Sequence, residues 1–496
     1  MNNKNKIKNK IKNKEIDSLV IQTQIKTYIK NKKYDEATEQ IQKLSDLNPP
    51  GINLNYKEIG ELYESQQMWS KAISCYVKIL NDKQELIPLI FQITNQVGIC
   101  YCNMESFKLA VHYFNKVLKI SEHPDVYNNI GQCYINSKKY NDAIIAFLKS
   151  YNINSNSKAS ANLGLLYYYI RDFDKSIQFF LKTEGEHLPG LALSYLGKKD
   201  FIRGFELYEN RLNTNPINKQ TNCNERVDIT LPSWNGQDTC DKLLIIAEQG
   251  LGDNIQYYRF IIELSEKYPN MKITFFCKKE IAHLFETYTN IDIIKSLLIP
   301  TLYNYKLFIM SLPYILKLSS IESNKINYIK TNDNKMEYWK DKTSTLTRFK
   351  VGIVYNGLLT SFIEKFIPLE KYKILCDLNI DLICIHKKNE IHSDLTAIDF
   401  KDKLIHYDID TDIPFEDTVC LLQNIDLLIT VDTFIVHLAG ILNVRAWLLL
   451  GASEWRWSDD KDKPYWYDSV EIIRTSPDEE FADILPIVKN KLSAII

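Results

Sequence analysis

Two stretches of this sequence leave an apolar run through a turn, open a helix-forming run, and carry groups able to do chemistry. The first is Glu248-Gln249-Gly250-Leu251-Gly252-Asp253. Its glycines permit a tight turn and close backbone approach, and the free N–H groups of a helix start attract negative charge. Asp253 has two readings, a helix cap or a carboxylate aimed at a ligand. The second is Thr430-Val431-Asp432-Thr433-Phe434-Ile435-Val436-His437-Leu438-Ala439-Gly440. A diphosphate is the natural anion for its first turn, with the Thr433 hydroxyl as an extra donor. Phosphate would repel Asp432, so capping suits that residue better. His437 lies within reach of a phosphate or ribose oxygen, or is a satisfied core histidine; spacing does not separate the two. Neither stretch reads G-x-G-x-x-G, and Cys277-Lys278-Lys279 puts no acid after the next strand, which argues against a dinucleotide site.

These residues need an alternating scaffold, and the sequence supplies one from Asp241 onward. Short apolar runs alternate with amphipathic stretches of ten or more residues, the pattern of parallel sheets with helical crossovers. Strands are expected at 243–247, 272–277, 307–312, 350–355, 381–386, 425–431 and 445–450. Helices are expected at 254–267, 279–288 and 482–496. The polar stretch Thr331 to Arg348 reads as an interdomain connection. Two doubly wound units side by side would leave a cleft at the carboxyl ends of their strands, where ligands bind.

The N-terminal part repeats. Gly60, Tyr63, Ala72, Tyr76 recur as Gly98, Tyr101, Ala110, Phe114, then Gly131, Tyr134, Ala143, Phe147, then Gly164, Tyr167, Ser176, Phe180. A weaker copy with Tyr28, Ala37 and Pro49 precedes them, and a truncated one with Tyr195, Gly204 and Tyr208 follows. Small residues let two antiparallel helices approach, and a ring fills the space between hairpins, at the spacing of tetratricopeptide repeats, about 34 residues. The glycines and rings pack helices; such an array implies a docking surface for a peptide, a protein or another subunit.

Composition bounds the partners. Lysine plus arginine number 61 against 62 acidic residues, so no overall field holds a polyanion and nucleic acid is not expected. The first 14 residues are almost all Asn, Lys and Ile, and residues 1–15 are expected to be a disordered basic tail. Ten cysteines form no C-x-x-C pair and read as buried thiols of a reducing compartment. No run approaches the ~20 apolar residues of a membrane span, and the expected location is the cytoplasm.

Taken together the motifs resemble the GT-B glycosyltransferases related to the lipopolysaccharide heptosyltransferases, in the branch that bacterial proteins fuse behind tetratricopeptide repeats. The layout is similar to that of protein O-GlcNAc transferases. The resemblance rests on the ordered succession of Arg203-Gly204-Phe205-Glu206-Leu207-Tyr208-Glu209, Pro232-Ser233-Trp234-Asn235-Gly236 and Ala247 to Gln256. Val431-Asp432-Thr433, His437 to Gly440, Trp455-Arg456-Trp457 and Trp466-Tyr467 complete it. It implies an α-solenoid at 16–215, an acceptor-side Rossmann-like domain at 216–345 and a donor-side domain at 346–496.

The resemblance also implies roles. Asp253 takes the place of the general base, although a helix start makes a carboxylate a weaker base. Gly250, Gly252, Asp432, Thr433 and His437 fall at donor-binding positions, and Lys365 at that of a cation neutralising the leaving diphosphate. The family pattern has a longer polar loop and Ser after the basic residue; here Tyr355-Asn356-Gly357 leads through a short apolar loop to Lys365-Phe366. No cofactor is implied beyond the nucleotide-sugar co-substrate, and no metal. Asp408-Ile409-Asp410-Thr411-Asp412 resembles a D-x-D metal motif but reads as a solvated acidic loop, so leaving-group charge falls to Lys365 and backbone donors.

The expected activity is metal-independent, inverting transfer of a sugar to a protein Ser or Thr recruited by the repeats. Alternatives are a lipopolysaccharide or other saccharide acceptor, and a non-catalytic repeat scaffold with a degenerate α/β half. A nicotinamide-dependent oxidoreductase ranks last.

Overall fold

A computed structural model of the protein describes residues 20–496 except 29, 32, 34–35, 38, 42, 44–51, 82–85, 156, 215–230, 287–289, 297–301, 323–326, 358–364, 452–453, 458–463 and 477–478. The basic tail at 1–15, Pro49 and the short loop before Lys365 lie outside the described residues. The chain divides into two compact units, Met1–Leu163 and Gly164–Ile496.

The first unit is a series of helical hairpins. Ile52–Ser65 pairs with Trp69–Leu80, Ile87–Asn103 with Phe107–Leu118, and Pro124–Asn136 with Tyr140–Ile153. The repeated glycine and ring explain the pairing. A Cβ on Gly98 would stand 2.6 Å from the Phe114 ring, and one on Gly131 would stand 2.5 Å from Phe147, so only glycine admits the second helix so closely. Between the helices of each hairpin the chain adopts a positive φ at Gln67, Glu105 and Lys138, in step with the repeat. These turns carry no glycine, and the sequence pattern did not announce them.

The second unit opens with helices of its own, among them Phe173–Leu181, Leu188–Gly197 and Phe201–Tyr208. Two parallel sheets follow. The first contains β1 (Lys242–Ile246), β2 (Lys272–Phe276), β3 (Ile291–Ile294) and β4 (Tyr305–Phe308), in the order β3-β2-β1-β4. The second contains β5 (Phe349–Val354), β6 (Ile380–Cys384), β7 (Leu404–His406), β8 (Leu427–Val431), β9 (Ala446–Leu450) and β10 (Val470–Arg474), in the order β10-β9-β8-β5-β6-β7. The central strands are buried on both faces, as parallel sheets covered by helices require. In the first sheet the strand order reverses between β1 and β4, and in the second between β5 and β8. Ligands bind at such switch points, outside the carboxyl ends of the strands.

Several expectations need correction. The strand expected at 307–312 ends at Phe308 and turns helical over Ile309–Ser311 and Leu312–Leu316, where Pro313 fits a helix start. The helix expected at 279–288 stops at Ala282. The polar stretch 331–348 is no bare connection. It holds the helix Asp333–Ser344, capped by the Asn332 side chain, with Trp339 buried and its indole donating to Asp417 at 2.9 Å. With so few apolar residues on one face, the helix hid in a polar composition. The acidic loop is only partly solvated. Asp408 and Asp412 are exposed, but Asp410 is buried, and its carboxylate accepts the N–H and hydroxyl of Thr418 at 3.1 and 2.6 Å.

Candidate active site

Each switch point presents one of the two stretches picked out by their chemistry. After β1, Glu248 is buried and its carboxylate accepts both Nη2 and Nε of Arg211, at 2.6 and 3.1 Å, and the Met310 N–H at 3.1 Å. Burial pushes the Glu248 carboxyl above its ordinary value, and Arg211 opposes the shift. Gln249 takes a left-handed φ of 59°, held by its Nε2 donating to the Tyr208 hydroxyl at 2.6 Å. Gly250 then starts the helix Leu251–Lys267, and Asp253 Oδ2 accepts the Gly250 N–H at 2.9 Å. Asp253 is therefore a cap. Its other oxygen, Oδ1, accepts Nη2 of Arg456 at 2.6 Å.

After β8, Thr433 rather than Asp432 caps the helix Phe434–Ile441, its hydroxyl accepting the Ile435 N–H at 3.3 Å. This corrects the expected capping role of Asp432. That carboxylate instead accepts Lys365 Nζ at 2.7 Å and the Trp457 indole N–H at 3.1 Å. Burial alone would push Asp432 up, but Lys365 and the indole hold it below the ordinary carboxylate value. Lys365 is placed by a short antiparallel pairing: Gly357 N–H donates to Lys365 O at 2.8 Å, and Ile367 N–H to Tyr355 O at 3.0 Å. A Cβ on Gly357 would come 3.0 Å from Thr433 Cγ2, so the turn after β5 lies against the helix start after β8.

The two switch points meet. A Cβ on Gly252 would stand 2.8 Å from His437 Cδ2, so a helix start of one sheet touches a helix of the other where only hydrogen fits. His437 is buried; Nδ1 shares a 3.1 Å hydrogen bond with the Tyr467 hydroxyl, and the ring stacks on Trp457 at 5.4 Å. Burial pushes its imidazole down to about 4, leaving it neutral at pH 7. Gly250, Gly252, Asp253, Lys365, Asp432, Thr433 and His437 thus form one connected cluster.

Sequence reasoning gave no role to the turn Trp455–Trp457, which joins the parts. Trp455 N–H donates to the Tyr168 hydroxyl at 3.1 Å, Arg456 reaches Asp253, and Trp457 reaches Asp432 and His437. Arg456 also donates Nη1 to Glu454 Oε1 at 2.7 Å. A signal was present: an arginine between two tryptophans is an unlikely surface pattern. Among the described residues no group of three or more His, Cys, Asp or Glu is placed to hold a metal ion. No helix among them is long and apolar enough to cross a membrane.

Comparison with known proteins places residues 124–157 in the tetratricopeptide repeat family. No curated protein matches the chain. Among solved structures, a MamA protein is 20% identical, covering 33% of this chain and 96% of its own, with a TM-score of 0.29. YrrB, a tetratricopeptide protein with an unusual peptide-binding site, is 17% identical over 37% of this chain and 95% of its own, with a TM-score of 0.29. A glycosyl transferase family 9 protein from Veillonella parvula DSM 2008 is 13% identical over 51% of this chain and 93% of its own, with a TM-score of 0.35. The class is defined by the chain's own architecture: a tetratricopeptide-type α-solenoid followed by two parallel-sheet, Rossmann-like domains in the GT-B layout.

Proposed function

We propose that the chain is a glycosyltransferase that moves a sugar from a nucleotide-sugar donor to an acceptor hydroxyl. The observation that carries this reading is the contact of two switch-point helix starts, Gly252 against His437, with a carboxylate on one and a cation–carboxylate pair on the other. The donor nucleotide lies against residues 346–496, where the N–H groups after Thr433 and the Lys365 ammonium face its phosphates. The acceptor enters from the side of residues 216–345. Asp253 takes the acceptor proton as the new bond to the anomeric carbon forms. The bond from that carbon to the phosphate oxygen breaks, its electron pair leaves with the phosphate, and the configuration inverts. Lys365, Thr433 and backbone donors balance the leaving charge without a metal. Neutral His437 serves as a hydrogen-bonding group to the donor rather than as a charge.

The residue 16–215 solenoid recruits the acceptor, a protein or peptide carrying Ser or Thr; a saccharide acceptor is the alternative. The test is release of nucleoside diphosphate from a panel of UDP-, GDP-, CDP- and ADP-sugars, with host lysate proteins as acceptors. Asp253→Ala should lower release by about a hundredfold or more, the scale of a lost general base. Donor binding without release by the wild-type chain would favour a scaffold with a degenerate site.

A further inference from the structure

Both oxygens of Asp253 accept hydrogen bonds, one from the Gly250 N–H and the other from Arg456. One bond to each oxygen leaves a second lone pair on each, but the guanidinium on Oδ1 holds the carboxylate as an ion-pair partner and competes with an acceptor hydroxyl for it. The cation covering it is itself unusual. Arg456 is held on a second side by Glu454, lies 4.8 Å over the Trp455 ring, and keeps its Nε buried without a partner among the described residues. The next residue, Trp457, holds Asp432 and stacks on His437, so the turn that carries the guanidinium to Asp253 also reaches the Lys365–Asp432 pair of the other switch point.

The charge count at this place is adverse to a diphosphate. Asp253, Asp432 and Glu454 carry three negative charges, and Lys365 and Arg456, both already paired, carry two positive ones. An incoming diphosphate competes with these carboxylates for both cations. Taking Lys365 would abandon Asp432, whose side chain is only 9% exposed, beside the phosphate. Arg456 is the better cation to shift. Its planar fork matches phosphate as well as carboxylate, Glu454 keeps the Nη1 bond, and Nε, without a partner among the described residues, is one more donor.

We propose that Arg456 is a donor-phosphate ligand that covers Asp253 until the donor binds, and that its transfer to the phosphate uncovers the base. The inference deepens the glycosyltransferase reading and rests on it. Donor binding and base activation are then one event, and an acceptor that arrives before the donor meets a carboxylate still paired with Arg456.

The test is calorimetric titration of the full chain with UDP, GDP, CDP and ADP in turn, repeated with the tightest binder. Arg456→Gln should weaken that binding at least tenfold, and Arg456→Lys by less. Asp253→Asn, which releases Arg456, should tighten it at least threefold, a gain that misfolding cannot mimic. In the Arg456→Gln background, Asp253→Asn should give no tightening. Equal tightening in both backgrounds would mean simple removal of a negative charge and would overturn the proposal, as would no tightening at all. Either outcome leaves the donor reading standing, because wild-type binding persists. If none of the four nucleotides binds the wild-type chain, the donor reading falls and takes this inference with it.

Discussion

The two compact units hold together by different means. In Met1–Leu163 the recurring contact is steric: a glycine on one helix receives a ring from the next, as Gly98 receives Phe114. In Gly164–Ile496 the contacts that shape the site are largely buried charge pairs joining residues far apart in sequence, the most buried being Arg211 with Glu248. Arg211 with Glu248, Asp253 with Arg456 and Lys365 with Asp432 are the main ones. Shape packing repeats with the chain and tolerates drift between copies. A buried ion pair occurs once, and losing either partner leaves a charge stranded in low dielectric.

That contrast predicts the largest effect at Arg211. Its side chain is 11% exposed and that of Glu248 is 1% exposed. Arg211→Met should destabilise the second unit by about 3–5 kcal/mol, the usual cost of breaking a buried pair from one side. Chemical denaturation should then show the second unit unfolding first. Deletion of residues 1–163 should spare that unit, whereas deletion of residues 1–214 should unfold it, because Arg211 goes with the deleted segment. If both truncations leave the same stability, the last solenoid helices are not part of that unit's core.

Acid is the next lever. An imidazole whose folded value lies below its unfolded one refuses a proton that the unfolded chain accepts. Its contribution is therefore complete above pH 6.5 and is lost as the pH falls toward 4. His437, held at about 4 against an ordinary 6.5, should cost about 3 kcal/mol across that window. Glu248 and Glu454, both raised by burial, work in the opposite sense. The melting temperature of His437→Gln should accordingly fall less between pH 7 and pH 4.5 than that of the wild-type chain. Parallel slopes would remove His437 from the buried core.

Smaller effects should separate the two kinds of packing directly. Gly131→Ala and Gly252→Ala each drive a methyl group into a ring, at 2.5 Å from Phe147 and 2.8 Å from His437. Each should cost about 1–3 kcal/mol. Only Gly252→Ala should also weaken nucleotide binding, because its ring belongs to the site. Equal nucleotide affinities in the two variants would detach Gly252 from donor binding.

The same contrast explains what could be read from the sequence. The repeats were legible because small and aromatic residues recur in phase, and β1, β2, β5, β6, β8 and β9 because buried parallel strands are short apolar runs. The strands β3, β7 and β10 escaped notice: β3 and β7 are short, and β3, β7 and β10 all lie at sheet edges. The helix Asp333–Ser344 was masked by its polar composition. At the site, Gly250, Gly252, Asp253, Thr433 and His437 announced themselves by standing where a strand opens into a helix. The partner of Asp253 did not, since no local pattern places Arg456 opposite a residue 203 positions away. Asp432 was misjudged for the same reason: its role as a partner of Lys365 depends on a contact 67 residues distant, not on its place before a helix.

The central claim is that two helix starts, one from each sheet, act on a single donor sugar. The most direct test is a double-mutant cycle on turnover, measuring nucleoside diphosphate release by Asp253→Asn, His437→Ala and the double variant. Groups serving one transition state should be non-additive, the double variant being little worse than the more damaged single one. Losses that multiply, as for two independent sites, would contradict the account.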